Sequence, residues 1–262
     1  MTTYLVICVT AFAVSGLTLF SGFGLGTVLM PAFALFFPVP TAIAATAVVH
    51  LANNVFKLGL VGRNADWGVV RRFSVPAAVA TIAGASLLVL FADLPVLASY
   101  TFGGQQREVT AVKAVVGALI IFFAVLELWP WFARLAFPAR FLVLGGVLSG
   151  FFGGLSGNQG ALRSAFLIKA GLGKEAFVGT STVSTVIVDC VRLLVYGVSF
   201  QASQWAAVKS EVPGLVAAAI ISAFVGAYLA TRLMKKVTLR FVQLSVAFVM
   251  VLVGAGLAAG LL

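Results

Sequence analysis

The sequence has 262 residues, of which 62% are hydrophobic and only 9% are charged. Because charged residues make up about 25% of a soluble domain, this composition excludes a soluble globular protein and predicts an integral membrane protein made largely of helices. The net charge of +10 does not indicate a nucleic-acid partner, because the basic residues fall mostly in short loops, where they set membrane orientation.

Ten helical segments, separated by glycine, proline or polar residues, are predicted along the chain. They cover residues 3–20, 27–37, 41–62, 67–91, 109–129, 141–152, 161–170, 174–196, 206–233 and 239–262. The fold class expected is an all-α polytopic membrane protein, since spans of about 20 residues leave room for little else. The first segment has no basic start and is interpreted as a retained membrane helix. Residues 92–108 are predicted to be the longest loop.

Two glycine-rich stretches interrupt this pattern. The first, residues 21–26, is Ser-Gly-Phe-Gly-Leu-Gly, and the second, residues 149–160, is Ser-Gly-Phe-Phe-Gly-Gly-Leu-Ser-Gly-Asn-Gln-Gly. Each glycine inside a helix costs about 1 kcal/mol relative to alanine, so we predict that each stretch breaks its helix. A break frees backbone polar groups at membrane depth, where only protein or a water-filled cavity can satisfy them. Broken helices of this kind bind ions and anions in many transporters.

The second half of the chain repeats the pattern of the first at an offset of 135 residues. Aligning residues 21–62 with 156–197 superposes the two glycine stretches and pairs Asn54 with Asp189. We therefore predict two transmembrane repeats, residues 1–130 and 131–262. Each repeat has a glycine-broken helical hairpin followed by three spans.

The distribution of basic residues predicts how the repeats lie in the membrane. If each broken pair is a hairpin, each half has an odd number of pieces and the halves are inverted. This arrangement places eleven Lys and Arg residues on one side and three on the other, whereas broken pairs that cross as single spans give eight and six. Because cytoplasmic loops carry the excess of Lys and Arg, inverted repeats are favoured. Both termini are then predicted to lie outside.

Polar residues in and after the second glycine stretch are candidates for substrate binding. Asn158 and Gln159 lie where the first stretch has Phe23 and Gly24, and Arg163 follows close behind. Amide groups and an arginine fork near the start of a helix suit an oxyanion. The alternative for Arg163 is a structural tie to the free carbonyl groups of the break.

The span that follows each broken hairpin, residues 41–62 and 174–196, carries further polar residues, some of them at matching positions. We include six of them as substrate-binding candidates: Thr46, His50, Asn53, Asn54, Ser181 and Thr185. Small hydroxyl residues are also common where membrane helices pack, and a lone histidine in an apolar helix is often a hydrogen-bonded core residue. Structural roles therefore stay open for this group.

Asp189 is the carboxylate predicted to lie deepest in the membrane. It precedes Arg192 by three residues, so one helix face can pair them. Either Asp189 is only a partner in that ion pair, or it binds a coupling proton or cation. Lys57 and Arg192 each lie five residues before a glycine that closes the span, so they can snorkel to the interface, pair structurally or face the site.

The sequence contains no signal for enzymatic chemistry or for a cofactor. Cys8 and Cys190 lie in apolar segments and predict neither a disulfide framework nor a metal site. One histidine is too few for a His/Cys metal cluster. With no nucleophile–base pair and no nucleotide-binding motif, a non-enzyme without a cofactor is expected.

Four short motifs carry a family resemblance. They are Gly22-Phe23-Gly24-Leu25-Gly26 with Pro31, Ala44-Ala45-Thr46, Gly153-Gly154-Leu155-Ser156-Gly157-Asn158-Gln159-Gly160 and Gly179-Thr180-Ser181-Thr182. In this order they resemble the sulfite exporter TauE/SafE family, over nearly the whole chain. The resemblance implies transport of sulfite, sulfonates or related small organic anions across the bacterial inner membrane.

The function expected is therefore that of a secondary transporter for a small anion, sulfite or an organosulfonate. Alternating access would take place around a midplane site between the two broken hairpins. An anion channel of the same architecture, with a continuous polar pore, is the alternative. The expected partners are the anion and the lipid bilayer, with a homo-oligomer left open and no nucleic acid. The expected location is the bacterial inner (plasma) membrane, crossed several times.

Overall fold

The computed structural model describes residues 1–21, 25–129, 131, 135–199, 211–233 and 239–262, and these form ten α-helices and one β-hairpin. The helices are α1 (Thr2–Ser21), α2 (Leu25–Ala34), α3 (Val39–Val61), α4 (Trp67–Ala92), α5 (Ala111–Leu128), α6 (Leu142–Ser156), α7 (Gly160–Leu167), α8 (Lys174–Ser199), α9 (Glu211–Leu233) and α10 (Leu239–Ala258). The ten predicted segments are confirmed to within a few residues at their described ends. The predicted start of the ninth segment and the centre of the first glycine stretch lie outside the described residues.

Several of these helices have the length and apolar composition of membrane spans. Five long ones qualify: Val39–Gly59, Trp67–Ala92, Ala139–Ser156, Lys174–Val198 and Val212–Leu229. Three shorter apolar helices accompany them: Thr2–Gly16, Ala111–Leu126 and Ala247–Ala258. The chain is an all-α polytopic membrane protein, as its composition predicts.

The start of α4 is fixed by a side-chain cap. Asp66 Oδ1 accepts hydrogen bonds from the backbone N–H groups of Gly68 (2.9 Å) and Val69 (3.0 Å). These are two of the donors that the first turn of a helix leaves without a partner. The Asp66 N–H in turn donates to Thr180 Oγ1 at 2.9 Å. The turn between α3 and α4 is therefore tied to the first half of α8.

The prediction of a loop over residues 92–108 is wrong, because much of this stretch forms a β-hairpin. Strand β1 (Val96–Phe102) pairs antiparallel with β2 (Gln105–Thr110). The turn residues Gly103 and Gly104 both have positive φ, 61° and 76°, as a two-residue type I′ turn requires. Aromatic and β-branched residues flank the two glycines and favour strands. The loop prediction overlooked this strand pattern.

The β-hairpin holds the end of α10. The Tyr100 hydroxyl donates to the Ala259 carbonyl group, and Arg107 Nη1 donates to the Leu261 carbonyl oxygen at 3.0 Å. These acceptors lie beyond the last helical turn, where carbonyl groups lack partners within the helix. The hairpin therefore connects the first half of the chain to the end of the second.

The second glycine stretch breaks its helix, but later than predicted. Helix α6 continues to Ser156, and α7 starts at Gly160. Gly157 ends α6 with a φ of 80°, a left-handed conformation that glycine adopts without steric cost. Ser149 Oγ donates to the Gln159 carbonyl oxygen at 3.2 Å. The chain therefore turns back on itself, and α6 and α7 form a hairpin.

The glycines inside α6 allow close packing and do not break the helix. A Cβ atom placed on any of three of them would overlap a carbonyl oxygen of α4. The pairs are Gly146 with Phe73, Gly150 with Ala77 and Gly154 with Thr81. Because the glycines recur every four residues, they form one face, and the two backbones approach as they do at small-xxx-small contacts in membranes. The sequence analysis assigned these glycines to the break, which in fact needs only Gly157–Gln159.

Contacts between helices keep the same pattern when the two halves are exchanged. The offset of about 135 residues matches α1–α5 with α6–α10 in order. Helix α4 packs on α6, and α1 packs on α9; exchanging the two halves converts one of these contacts into the other. Helix α3 packs on α8 and α5 on α10, so these two pairs exchange into themselves.

The directions of the packed helices follow from residues that meet. His50 contacts Asp189, and Val61 lies beside Gly179, so α3 and α8 run antiparallel. Glu108 lies beside Gly260, and Ile121 lies beside Gly254, so α5 and α10 also run antiparallel. In contrast, the glycine contacts advance together along α4 and α6, which therefore run parallel.

We predict that Gly150→Ala destabilises the protein, because its Cβ would overlap the Ala77 carbonyl group. Overpacking of this kind costs about 1–3 kcal/mol, so the apparent melting temperature in detergent should fall. The matched control is Gly59→Ala in α3, where a Cβ atom meets nothing within 4 Å. That variant should be neutral or gain up to about 1 kcal/mol from helix propensity. Equal stability of the two variants would contradict the packing role.

Candidate functional site

The start of α2, the second break and the middle of α3 meet at one place. A Cβ atom on Gly26 would lie 3.5 Å from the Gly157 carbonyl oxygen and 3.8 Å from Cδ2 of His50. Gly26 belongs to the first glycine stretch, and Gly157 ends the helix at the second. Both glycine stretches therefore border the same buried region.

The Asp189 carboxylate is the centre of a polar cluster in this region. Its Oδ2 lies 2.7 Å from His50 Nδ1 on α3, and its Oδ1 lies 2.8 Å from Arg192 Nη2 on α8. Gln159 Nε2, in the break, reaches Oδ1 at 3.5 Å. The predicted pair of Asp189 with Arg192 is confirmed, and His50 adds a partner from the first half. Asp189 is fully buried, so these contacts replace its hydration.

Arg192 and Tyr196 bind the carbonyl groups at the end of α6. Arg192 Nη1 reaches the Gly153 carbonyl oxygen at 3.4 Å, and the Tyr196 hydroxyl donates to the Gly154 carbonyl group. The Gly153 carbonyl oxygen also accepts from the Gly157 N–H at 3.0 Å, so Arg192 is a second donor there. The last carbonyl groups of a helix otherwise lack partners within it, and Tyr196 on α8 supplies a donor to Gly154. Arg192 is buried and does not snorkel. The structural tie that was considered for Arg163 is made by Arg192.

Arg163 lies on the short helix α7 and points to α8. Its Nε donates to Ser181 Oγ at 2.7 Å, and both residues are buried. Arg163 also interacts electrostatically with Asp189 and with Lys57 on α3. Two predicted substrate-binding residues, Arg163 and Ser181, therefore contact each other about two turns along α8 from Asp189.

Asn158 and Gln159 lie in the break itself, and both are buried. Asn158 Nδ2 donates to Ser156 Oγ at 3.4 Å. The backbone carbonyl oxygen of Gln159 accepts from Ser149 Oγ, and its side-chain Nε2 reaches Asp189 Oδ1. Both predicted amides thus lie beside the cluster, and Gln159 connects the break to it.

The other predicted residues are buried or half-buried near the cluster but make separate contacts. Asn54 Nδ2 donates to the backbone carbonyl of His50, and Thr185 Oγ1 donates to that of Ser181. Asn53 Oδ1 accepts from Ser15 Oγ on α1 at 3.1 Å. Asn53 Nδ2 and Thr46 Oγ1, both on α3, are buried and have no hydrogen-bond partner among the described residues.

Sequence reasoning missed Ser15 and Tyr196. Ser15 lies within the first helix, where nothing distinguishes it from a packing residue. Tyr196 had a usable signal, because it follows Arg192 by four residues and therefore shares its helix face. A tyrosine buried at that position needs a hydrogen-bond acceptor.

The arrangement supplies donors and cations for an anion. Arginine, histidine and amide groups approach the break from three helices and are shielded from lipid. In the described part of the chain, no group of three His, Cys, Asp or Glu residues could hold a metal ion.

Comparison with known families identifies a match that covers nearly the whole chain. The family model described as Sulfite exporter TauE/SafE matches residues 7–257, which is nearly the full length. Curated proteins and solved structures give no match.

Proposed function

Because the chain belongs to the sulfite exporter TauE/SafE family, we propose that it is a secondary transporter of a small anion, either sulfite or an organosulfonate. The observation that carries the proposal is the meeting of the two glycine stretches, Gly26 against Gly157, beside a buried cluster of cations and amides. Irregular backbone at membrane depth is the usual place of a transporter substrate site.

The proposed anion site lies between the start of α2 and the second break. Arg163 and His50 approach it from α7 and α3, and Asn158 and Gln159 line the break. The remaining members of the site are Thr46, Asn53, Asn54, Ser181 and Thr185. Backbone N–H groups at the start of α7 add the positive end of a helix dipole. Asp189 supplies the carboxylate that contacts His50 and Arg192. We propose that it is required for coupling.

Two inverted repeats, residues 1–130 and 131–262, would provide the alternating access. The contacts between helices keep the same pattern when the two halves are exchanged, and this supports the division. An axis that relates α3 to α8 and α5 to α10 lies perpendicular to these helices, since both pairs run antiparallel. For helices that cross a membrane, such an axis lies in the membrane plane, which is the relation found in inverted repeats. One repeat would then rock against the other around the site.

The orientation proposed places both termini outside, in a bacterial inner membrane. We predict that a cysteine at Lys169, in the turn after α7, is labelled only from the cytoplasmic side. A cysteine at Gln105, in the β-hairpin, should be labelled only from outside. The assay uses a membrane-impermeant maleimide and a background with Cys8 and Cys190 replaced by serine, because Cys190 is exposed. Labelling of Lys169→Cys from outside would contradict this orientation.

Transport is tested by flux into proteoliposomes. A thermal-shift screen of the purified protein against sulfite, sulfate, taurine, sulfoacetate and simple carboxylates first selects the anion. The selected anion should then show saturable uptake and exchange with internal substrate. Ohmic currents at single-channel rates would instead indicate the anion channel. Absence of saturable flux for every anion that stabilises the protein would contradict the transporter proposal.

We predict that Arg163→Gln folds normally but binds the anion about 10- to 100-fold more weakly. This follows from the loss of a hydrogen bond to a charged group, worth about 1.5–3 kcal/mol. Arg163→Lys should recover only part of the affinity, because a point charge replaces the planar fork. Titration by isothermal calorimetry gives the three dissociation constants.

The matched control for Arg163 is Lys169→Gln. It removes a cation near the end of the same hairpin, but from an exposed position. Its dissociation constant should equal that of the parent protein. Unchanged binding by Arg163→Gln would place the anion elsewhere in the cluster.

A further inference from the structure

The two nitrogen atoms of His50 face different surroundings. Nδ1 contacts the Asp189 carboxylate at 2.7 Å. The opposite edge of the ring faces Gly26, where an added Cβ atom would lie 3.9 Å from Nε2. Because glycine has no side chain, a gap that would accept a Cβ atom lies between this edge of the ring, α2 and Gly157. The anion site proposed above includes this gap.

We propose that Nε2 of His50 binds the coupling proton and that the protonated ring then donates to the transported anion. The protein would thus move one proton together with each anion. This inference rests on the proposed function, since it names the coupling ion of the same site. In the resting state the Nδ1–H donates to Asp189 and Nε2 carries a lone pair. Proton binding converts that lone pair into an N–H donor, and proton release restores it.

Exposure distinguishes His50 from Asp189 as the proton-binding group. The His50 side chain is 13% exposed, whereas the Asp189 side chain is 0% exposed. Both carboxylate oxygens of Asp189 already have partners, one of them the permanently charged Arg192. Asp189 is therefore suited to remain ionised and to orient the ring, as carboxylates do for histidine in other sites. This assigns to Asp189 the role of counter-ion and to His50 the role of proton carrier.

The charges around His50 make its proton sensitive to the anion. Asp189 attracts the proton, whereas Arg192 on α8 and Lys57 on α3 repel it. Arg163 affects the His50–Asp189 pair through its electrostatic attraction to Asp189. Helix α2 and residues 157–159 contain no ionisable side chain. An anion beside Nε2 adds negative charge next to the ring and so favours binding of the proton. By reciprocity, binding of the proton favours binding of the anion by the same factor.

The His50–Asp189 contact also joins the two halves of the chain. His50 belongs to α3 in the first half and Asp189 to α8 in the second. A proton on the ring strengthens the contact by turning a hydrogen bond into an ion pair. Binding of proton and anion would therefore act on the interface across which one half moves against the other.

The test measures proton and anion movement together in proteoliposomes that contain a pH-sensitive dye. The substrate is a sulfonate from the thermal-shift screen, because its charge is constant between about pH 5 and 8, where histidine titrates. The parent protein should move protons with the sulfonate at a fixed ratio. Its KM should rise with pH, by up to about tenfold per pH unit above the titration of His50.

The variant His50→Gln should move the sulfonate more slowly and without protons, with a KM that no longer changes with pH. Asp189→Asn removes the counter-ion and should also lose proton movement. The matched control is Ser74→Ala, which removes the 2.8 Å hydrogen bond to Ser184, another contact between the halves. It should keep the proton-to-anion ratio, because it removes no titratable group.

The outcomes separate this inference from the proposed function. Saturable sulfonate flux in the parent protein without proton movement overturns the proton role of His50 alone. A proton-to-anion ratio in His50→Gln that equals the ratio of the parent protein also overturns the proton role of His50. If His50→Gln does not fold, the pH dependence of KM in the parent protein decides, and a flat profile overturns the inference. Absence of saturable flux for every anion overturns the transporter proposal, and the inference with it.

Discussion

The rest of the site depends on the burial of one carboxylate, Asp189. A charge at bilayer depth must be compensated, and its partners come from α3, from α8 and from the break between α6 and α7. Arg192 then reaches the Gly153 carbonyl group, so the same charge network also positions the end of α6. Removing one partner of a buried pair costs about 3–5 kcal/mol, because the other charge is left uncompensated. A cost of this size fixes how the three elements meet.

Glycine has two separate roles in this molecule. Along α6 it allows the backbone to lie directly against α4, and the energy gained is that of close packing. At Gly157 it allows a left-handed turn that ends the helix. Only two residues separate Gly154 from Gly157, so α6 stays packed against α4 until shortly before it breaks. A rigid helix end is what a precisely placed backbone binding site requires.

Composition and apolar segment length were sufficient to predict the membrane class and all ten helices. The pair of Asp189 with Arg192 could also be predicted, since a spacing of three residues places both on one helix face. The contact of His50 with Asp189 could not, because it depends on how α3 and α8 pack across 139 positions of sequence. The extent of α6 was misjudged for a related reason. Helix propensity counts each glycine as a cost, whereas the compensating contact with α4 is visible only in three dimensions.

Gly157 has a further consequence, for how this sequence can change over evolutionary time. A side chain at this position would need an unfavourable backbone conformation, and its Cβ would lie 2.9 Å from Arg192 Nη1. A larger residue at 157 would therefore displace the Arg192 guanidinium, and replacing Arg192 to make room would leave Asp189 without its cation. Changes at positions 157, 189 and 192 are therefore expected to depend on one another. Divergence of substrate preference would have to proceed through the residues around these positions.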